Sequence, residues 1–186
     1  MIKFEKVSWE EYKKAYEDFC ADSADSEYDI DYDSIREDWE HIKLPTRATK
    51  ASAGYDFYAC MPMHIYTHDM PAAIYPTGIR FITDRDDIFL MCVPRSGLGF
   101  KKGLKLLNTC GIIDSDYWQS DNEGHIKVKM SAKEPITINR GQAFMQGIIL
   151  PFLKVDGDDA IAERNGGFGS TDQPAYVDAR EVIFHE

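Results

Sequence analysis

The sequence has no apolar run of 18 residues, no Cys-x-x-Cys pair and a shortage of basic residues. Without such an apolar run, no segment is long enough to cross a bilayer as a helix. The first residues, MIKFEKVSWEE, also lack the basic and apolar stretches of a signal peptide, so we expect a cytoplasmic protein. The cysteines lie far apart, which favours free and mostly buried thiols over a zinc site or a disulfide framework. They are Cys20, Cys60, Cys92 and Cys110.

The charge of the chain argues against one class of partner. The 186 residues hold 21 Lys and Arg against 32 Asp and Glu, a net charge of −11 at pH 7. A chain this acidic repels polyphosphates at long range, so we expect no direct binding of nucleic acid and no adhesion to a membrane. Residues 1–43 carry 14 acidic and six basic groups, whereas the rest of the chain carries 18 and 15. The sequence therefore predicts an acidic appendage over 1–43 and a nearly neutral body.

Two amphipathic helices are predicted within the acidic segment. Ser8 and Glu11 have the spacing of a capping box. Aromatic side chains then recur every three or four residues and predict a helix over roughly 9–20: Trp9, Tyr12, Tyr16 and Phe19. The same spacing predicts a second helix that ends near Pro45: Tyr32, Ile35, Trp39 and Ile42. We expect this acidic helical hairpin to pack on its own domain; a surface for a protein partner is the alternative.

The rest of the chain has the pattern of a mainly β protein. Residues 44–155 contain short apolar or alternating runs separated by Gly, Pro, Asn and Asp. Strands of this length with regularly spaced turns predict an antiparallel β-sandwich or jelly roll. Residues 156–186 begin with Gly, Asp and Asn, and we interpret them as a mobile C-terminal arm with a Gly-rich motif at 164–171 and an extra tail.

Two Gly-rich segments have the chemistry of anion-binding loops. PRSGLGFKKGLKLLNT at 94–109 places Arg95 and Ser96 in a predicted turn with several glycines. RNGGFGST at 164–171 repeats an Arg, glycines and hydroxyls, and adds Phe168, which could stack on a nucleobase.

Two carboxylates lie between these segments, in GIIDSDYW. Asp114 and Asp116 are two residues apart on a predicted strand or hairpin, so we expect them to face the same side. An acidic pair beside anion-binding loops favours a divalent cation or the activation of water, although hairpin turns also use such residues.

Five segments occur in a fixed order. They are AGYDF at 53–57, PRSGLGFKKGL at 94–104, NTCGIIDSDY at 108–117, RGQAFMQGII at 140–149 and RNGGFGST at 164–171. Together they resemble the five ordered motifs of the trimeric deoxyuridine triphosphatases, the dUTPases, over roughly residues 44–172. The resemblance implies a β jelly roll, a homotrimer with active sites at the subunit interfaces, and magnesium-dependent hydrolysis of dUTP to dUMP and pyrophosphate.

The resemblance also implies roles for single residues. Asp114 would be the general base for the water that attacks the α-phosphorus, and Asp116 would be structural. Tyr117 would pack under the sugar and disfavour a ribose 2′-hydroxyl. The uracil edge would be bound by a hairpin and its returning strand, through Asn108, Gly111, Ile112, Ile113 and Lys127.

The remaining roles concern the triphosphate. Arg95, Ser96 and Gly97 would hold α- and β-phosphate oxygens. Gln146 would help to place phosphate or the attacking water, and Asp56 would meet magnesium through its water shell. In the arm, Phe168 would stack over uracil, and Arg164, Ser170 and Thr171 would clamp the γ-phosphate. Gly169 would also belong to the substrate-binding residues.

The sequence departs from the family pattern around these motifs. After Tyr117 the usual short turn is replaced by WQSDNEG, which gives an insert at 118–123. The N-terminal helices and the tail at 172–186 are additional. Such inserts suit a phage or bacterial member, which would act in the host cytoplasm if a phage encodes it.

Two other functions stay open at this point. One is the related dCTP deaminase group, which shares the jelly roll. The other is a nucleotide-responsive regulatory protein that binds a protein partner through the N-terminal helices or the 118–123 insert.

Overall fold

The computed structural model describes residues 1–22 and 30–160. The helices in this part are α1 (Trp9–Asp22), α2 (Tyr32–Glu40), α3 (Ser96–Lys102) and a 3₁₀ turn at Tyr117–Gln119. The first six strands are β1 (Ile2–Lys6), β2 (Thr46–Arg47), β3 (Gly54–Tyr58), β4 (Met63–Ile65), β5 (Ile74–Pro76) and β6 (Ile79–Thr83). The next six are β7 (Ile88–Pro94), β8 (Lys105–Leu106), β9 (Gly111–Ile113), β10 (Lys127–Ser131), β11 (Ile136–Ile138) and β12 (Ala143–Pro151).

The strands form antiparallel sheets. The largest has five strands in the order β2-β3-β12-β7-β9, and a second has three in the order β5-β10-β8. Two pairs, β1 with β6 and β11 with β4, complete the described sheets. Every pairing between these strands is antiparallel, and helices are few, so the predicted fold class is confirmed.

The alternation of side chains explains why the longer strands form. Along β7 the residues at positions 88, 90 and 92 are buried, and those between them are only partly covered. A period of two with Ile, Phe and Val suits a pleated strand that buries one face. β12 pairs with β3 on one side and with β7 on the other, so it lies inside the five-stranded sheet.

The acidic N-terminal segment shares the core of the body. The sequence predicted two helices here, and both are present, but it did not predict β1. Phe4 of that strand packs its ring 5.4–5.8 Å from the rings of Tyr55, Phe57 and Phe81. Val7, Tyr12, Ile35 and Ile42 are buried in the same hydrophobic cluster. The division at residue 43 stays a prediction, yet the segment before it is part of one packing unit with the body.

The helices begin and pack as their sequences indicate. Ser8 Oγ accepts the N–H of Glu11 at 3.2 Å, which is half of the capping box. The aromatic stripe of α1 faces inward, since Tyr12 is fully buried and Trp9, Tyr16 and Phe19 pack against the core. The hairpin therefore packs on its own domain, as the sequence favours.

The four cysteines are free thiols, as predicted. Cys60 and Cys92 are buried, whereas Cys20 and Cys110 are partly exposed. Burial raises the pKa of Cys60 to about 11 and that of Cys92 to about 12, so both are protonated at neutral pH. Among the described residues, no helix is long and apolar enough to cross a membrane.

His125 is a fully buried polar residue at the junction of α1 and the sheets. Its Nε2 accepts the backbone N–H of Gly78 at 2.9 Å, and its Nδ1 lies 3.0 Å from Glu11 Oε1. Because Nε2 is an acceptor, the ring proton resides on Nδ1 and is donated to Glu11. Desolvation lowers the pKa of His125 below its ordinary value of 6.5, and it outweighs the opposing hydrogen bond to Glu11.

This burial makes folding stability depend on pH. The folded chain keeps His125 neutral, while the unfolded chain binds a proton as the pH falls through about 6.5. We expect the free energy of unfolding to fall between pH 7.5 and pH 5.5, with His125 contributing about 1 kcal/mol of the loss. Urea titrations at several pH values give the free energy of unfolding of wild type and of His125→Gln. The difference between the slopes of that free energy against pH measures the share of His125. The exposed His68→Gln is the control and should keep the wild-type slope; equal slopes in all three proteins would contradict the assignment.

Candidate active site

A cavity of about 470 Å³ is lined by residues from both the five-stranded and the three-stranded sheet. Its walls come from the edge strand β9 and from β5, β8 and β10. Seven residues that the sequence assigns to the uracil, the sugar and the attacking water line this one cavity: Asn108, Gly111, Ile112, Ile113, Asp114, Tyr117 and Lys127. The structure thus brings this part of the predicted site together.

The remaining lining residues were not predicted. They are Ile74, Cys92, Leu106, Leu107, Ile126, Val128 and Lys129. All but Lys129 are apolar strand or turn residues, and in the sequence such residues are indistinguishable from ordinary core positions. They give the cavity an apolar wall suited to a flat ring.

The prediction that the segment at 111–113 forms a hairpin with the strand near Lys127 is wrong. β9 pairs with β7, with Ile113 opposite Leu90 and Gly111 opposite Cys92. The strand that begins at Lys127 pairs with β5 and β8 instead. β9 and β10 therefore belong to different sheets, and residues of both strands line the cavity.

The expectation that Asp114 and Asp116 share one side of a strand is also wrong. β9 ends at Ile113, and the backbone then turns. The carbonyl of Asp114 accepts the N–H of Tyr117 at 3.2 Å, and that of Asp116 accepts the N–H of Gln119 at 3.0 Å. In such a turn the two-residue alternation of a strand no longer applies. Asp114 lines the cavity, whereas Asp116 is not among the described residues that line it.

The Tyr117 hydroxyl is fixed at the back of the cavity. It donates to the main-chain carbonyl of His125 at 3.3 Å and accepts from Asn122 Nδ2 at 3.0 Å. Asn122 belongs to the insert, so the insert helps to hold the ring. The insert needs a tight turn, because Gly124 has φ +73 and an added Cβ would lie 2.4 Å from Trp118 Cα.

A second group of predicted residues meets on the five-stranded sheet. Gln146 of β12 lies opposite Asp56 of β3 and opposite Val93 of β7. Arg95 follows directly after β7, and its Nε lies 3.2 Å from Asp56 Oδ1. The Asp56 side chain is 13% exposed and that of Arg95 is 44% exposed. A guanidinium is therefore held at the sheet while part of it remains open to solvent.

The segment after Arg95 is a helix rather than the expected turn. The N–H groups of Leu98 and Gly99 donate to the Arg95 carbonyl, which starts α3. Gly103 ends the helix with φ +63, a conformation that favours glycine. Ser96 lines a second cavity of about 580 Å³ beside β8. Gly97 lies exposed in the first turn, with open space where a Cβ would stand.

The predicted residues therefore fall into two groups within one chain. Of the described residues that line the main cavity, none is Asp56, Arg95, Ser96, Gly97 or Gln146. The predicted arm residues lie outside the described residues: Arg164, Phe168, Gly169, Ser170 and Thr171.

Sequence reasoning missed the polar support behind the cavity. Glu11 and His125 are 114 residues apart, and no local pattern joins them. Lys127 Nζ also lies 3.9 Å from Glu11 Oε1 and 3.8 Å from Asp18 Oδ2. Lys127, which lines the cavity, therefore lies close to two carboxylates of α1.

Comparison with known proteins connects this site to one family. The family model described as dUTPase matches residues 40–172. The deoxyuridine 5'-triphosphate nucleotidohydrolase of Lactococcus lactis is 38% identical over 135 residues, which covers 70% of this chain and 88% of that protein. The protein of the same name from Coxiella burnetii (strain Dugway 5J108-111) is 38% identical over 137 residues, with 70% and 87% covered.

Solved structures agree with the sequence relatives. The dUTPase from Streptococcus mutans superposes with a TM-score of 0.56 at 29% identity, covering 83% of this chain and 98% of that one. A mutant dUTPase from phage phi11 of S. aureus reaches 0.56 at 14% identity, covering 86% and 96%, and shares the fold. The match to the family model and the relatives at 38% identity together show that the chain belongs to the dUTPase family.

Proposed function

We propose that the protein hydrolyses dUTP to dUMP and pyrophosphate. The observation that carries this proposal is the shared cavity, which places a carboxylate, a fixed tyrosine and an edge strand around one space of about 470 Å³. Water attacks the α-phosphorus, the bond from that phosphorus to the bridging oxygen breaks, and pyrophosphate leaves. Asp114 orients this water and accepts its proton.

The edge strand supports the selection of uracil. β9 lies at the edge of the five-stranded sheet and pairs with β7 on one side only. The backbone groups on the other side of an edge strand are available to a ligand. Gly111, Ile112 and Ile113 line the cavity with this edge, and Asn108 adds a side-chain amide. A pyrimidine could pair with them much as another strand would.

Tyr117 supports the selection of a deoxy sugar. Tyr117 is 7% exposed, and its hydroxyl makes hydrogen bonds to two groups, the His125 carbonyl and Asn122 Nδ2. A ring that cannot move aside leaves no room for a 2′-hydroxyl and offers it no hydrogen bond. Such an unmet polar group lowers the transition-state affinity for the ribonucleotide.

The second group of residues suits the phosphates. Arg95 supplies a partly exposed guanidinium, which binds phosphate oxygens in a bidentate manner. Ser96, Gly97 and Gln146 are its neighbours on α3 and β12. Because this group does not line the cavity of its own chain, the proposal places it at the site of a neighbouring subunit in a homotrimer.

The second group of residues offers one carboxylate to a magnesium ion. Among the described residues, no group of three or more His, Cys, Asp or Glu gathers to hold a metal. Mg²⁺ is commonly bound by one or two carboxylates together with waters and substrate phosphates, and Asp56 offers one such carboxylate. When bound there, the ion would offset part of the negative charge of the triphosphate.

Asp114→Asn tests the general base. We expect the variant to lower kcat for dUTP by about 10²–10⁴-fold, because an amide cannot accept the proton of the attacking water. Pyrophosphate release is measured with magnesium on dUTP, dTTP, UTP and dCTP. Wild type should act on dUTP with a much higher kcat/KM than on the other three nucleotides.

Asp116→Asn is the matched control for this test. It removes the same charge from the same turn, outside the cavity lining, and should keep most of the activity. Equal losses in both variants would remove the assignment of Asp114. Absence of pyrophosphate from dUTP with wild type would refute the proposed reaction, and ammonia release from dCTP would favour the deaminase alternative.

Deletion of residues 164–186 tests the arm. We expect it to abolish turnover and to leave the trimer folded, because the proposed clamp on the γ-phosphate and the stacking of Phe168 on uracil are removed. The matched control removes only 172–186 and should retain activity. Size-exclusion chromatography and pyrophosphate release are measured on both; loss of the trimer in the longer deletion would make the arm structural.

The regulatory alternative loses one of its candidate surfaces. The aromatic stripe of α1 packs against the chain's own core. A protein partner would have to bind the charged face of the helices or the insert. This alternative stays a prediction of the sequence.

A further inference from the structure

The N-terminal segment contacts the active-site cavity from behind. Glu11 lies in the first turn of α1 and is 8% exposed. One of its carboxylate oxygens, Oε1, lies 3.0 Å from His125 Nδ1 and 3.9 Å from Lys127 Nζ. Both contacts are made to the segment that runs into β10.

His125 links Glu11 to Tyr117. The ring is fully buried, and both ring nitrogens have hydrogen-bond partners, with Gly78 donating to Nε2 and Nδ1 donating to Glu11. Because both ring nitrogens of His125 are held, the main chain of that residue is held in place as well. The carbonyl of that main chain accepts the Tyr117 hydroxyl.

A second tie joins the start of α1 to the insert. The backbone N–H of Ser8 donates to Glu123 Oε2 at 2.9 Å, and its hydroxyl donates to the other oxygen of the same carboxylate. Arg80 Nη1 lies 3.6 Å from Glu123 Oε2. Glu123 follows Asn122, the second partner of the Tyr117 hydroxyl. The two hydrogen bonds described for that hydroxyl are therefore each supported by a residue at the start of α1.

The N-terminal partners in these contacts lie outside the segment that the family model matches. The family model begins at residue 40, so Ser8 and Glu11 precede it. Two departures from the pattern, the N-terminal helix and the insert, meet at the residues that hold Tyr117. Because both departures contact the groups that hold Tyr117, they are suited to a role in the site in addition to attaching the helix.

We propose that Glu11 is a positioning residue for the nucleotide pocket, which acts through His125 to hold Tyr117 and thereby sets the preference for deoxyribose over ribose. The substrate in this statement rests on the proposed function. Side chains that support a site from behind commonly decide how well its contacting groups are placed.

The measured quantity is the ratio of kcat/KM for dUTP to kcat/KM for UTP. A loss of folded enzyme lowers both values equally and leaves the ratio unchanged, so a merely structural role would not move it. We expect Glu11→Ala to lower the ratio about tenfold, since a charge-assisted hydrogen bond is lost. Glu11→Gln, whose amide oxygen still accepts the Nδ1 proton, should recover most of it.

The matched control is Glu10→Ala, which removes an exposed carboxylate from the same helical turn and should keep the wild-type ratio. Glu11→Asp keeps the charge but withdraws it by one methylene. Glu11→Asp should also lower the ratio. If Glu11→Ala does not fold, the ratio measured for Glu11→Asp tests the proposal. A wild-type ratio in the folded Glu11 variants overturns the proposal.

Hydrogen exchange separates this proposal from the proposed function. Amides at 117–127 should exchange about tenfold faster in Glu11→Ala than in Glu10→Ala, without any nucleotide present. If wild type releases no pyrophosphate from dUTP, the proposed function fails and exchange alone decides. Equal exchange in the two variants then overturns the positioning role.

Discussion

The pairing of β12 on both sides is the constraint on which the arrangement of the site depends. This strand lies between β3 and β7, and its register fixes Gln146 beside Asp56 and Val93. The same sheet continues from β7 to β9, which supplies the edge along the cavity. A shift of one residue in this register would turn every side chain to the opposite face, so one ladder of backbone hydrogen bonds orders both groups of functional residues.

The division of these residues into two groups agrees with a site shared between subunits. One chain supplies a cavity with Asp114 and Tyr117, and it supplies Arg95 and Asp56 elsewhere on its sheet. Each group is incomplete for a nucleoside triphosphate, which needs contacts to base, sugar and phosphates at once.

The sequence predicted the features that depend on local patterns. The Ser8 cap, the aromatic period of α1 and the alternation in the strands are all short-range signals, and each is present in the structure, although only the Ser8 half of the capping box forms. The motif around Asp114 also predicted six of the fourteen described residues that line the cavity. Where a single pattern decided the structure, the expectation held.

Features that depend on tertiary context were missed. The glycines of the 94–109 segment favour a turn locally, yet the carbonyl of Arg95 and the left-handed Gly103 complete a short helix. The hairpin at Asp114 failed because β9 finds its partner in β7, earlier in the chain. The contact of Glu11 with His125 joins positions that no sequence window contains. Such features follow from packing, which overrides local propensity.

The pairing of β1 with β6 has a consequence for what counts as the minimal folded unit. The segment matched by the family begins at residue 40, but β6 has its hydrogen-bonding partner at residues 2–6. A chain that began at residue 40 would leave an unpaired edge on β6, uncover Phe81 and take the proton acceptor from a buried imidazole. In this protein the domain therefore includes the residues that precede the matched segment, because they complete the pairing of β6 and its core.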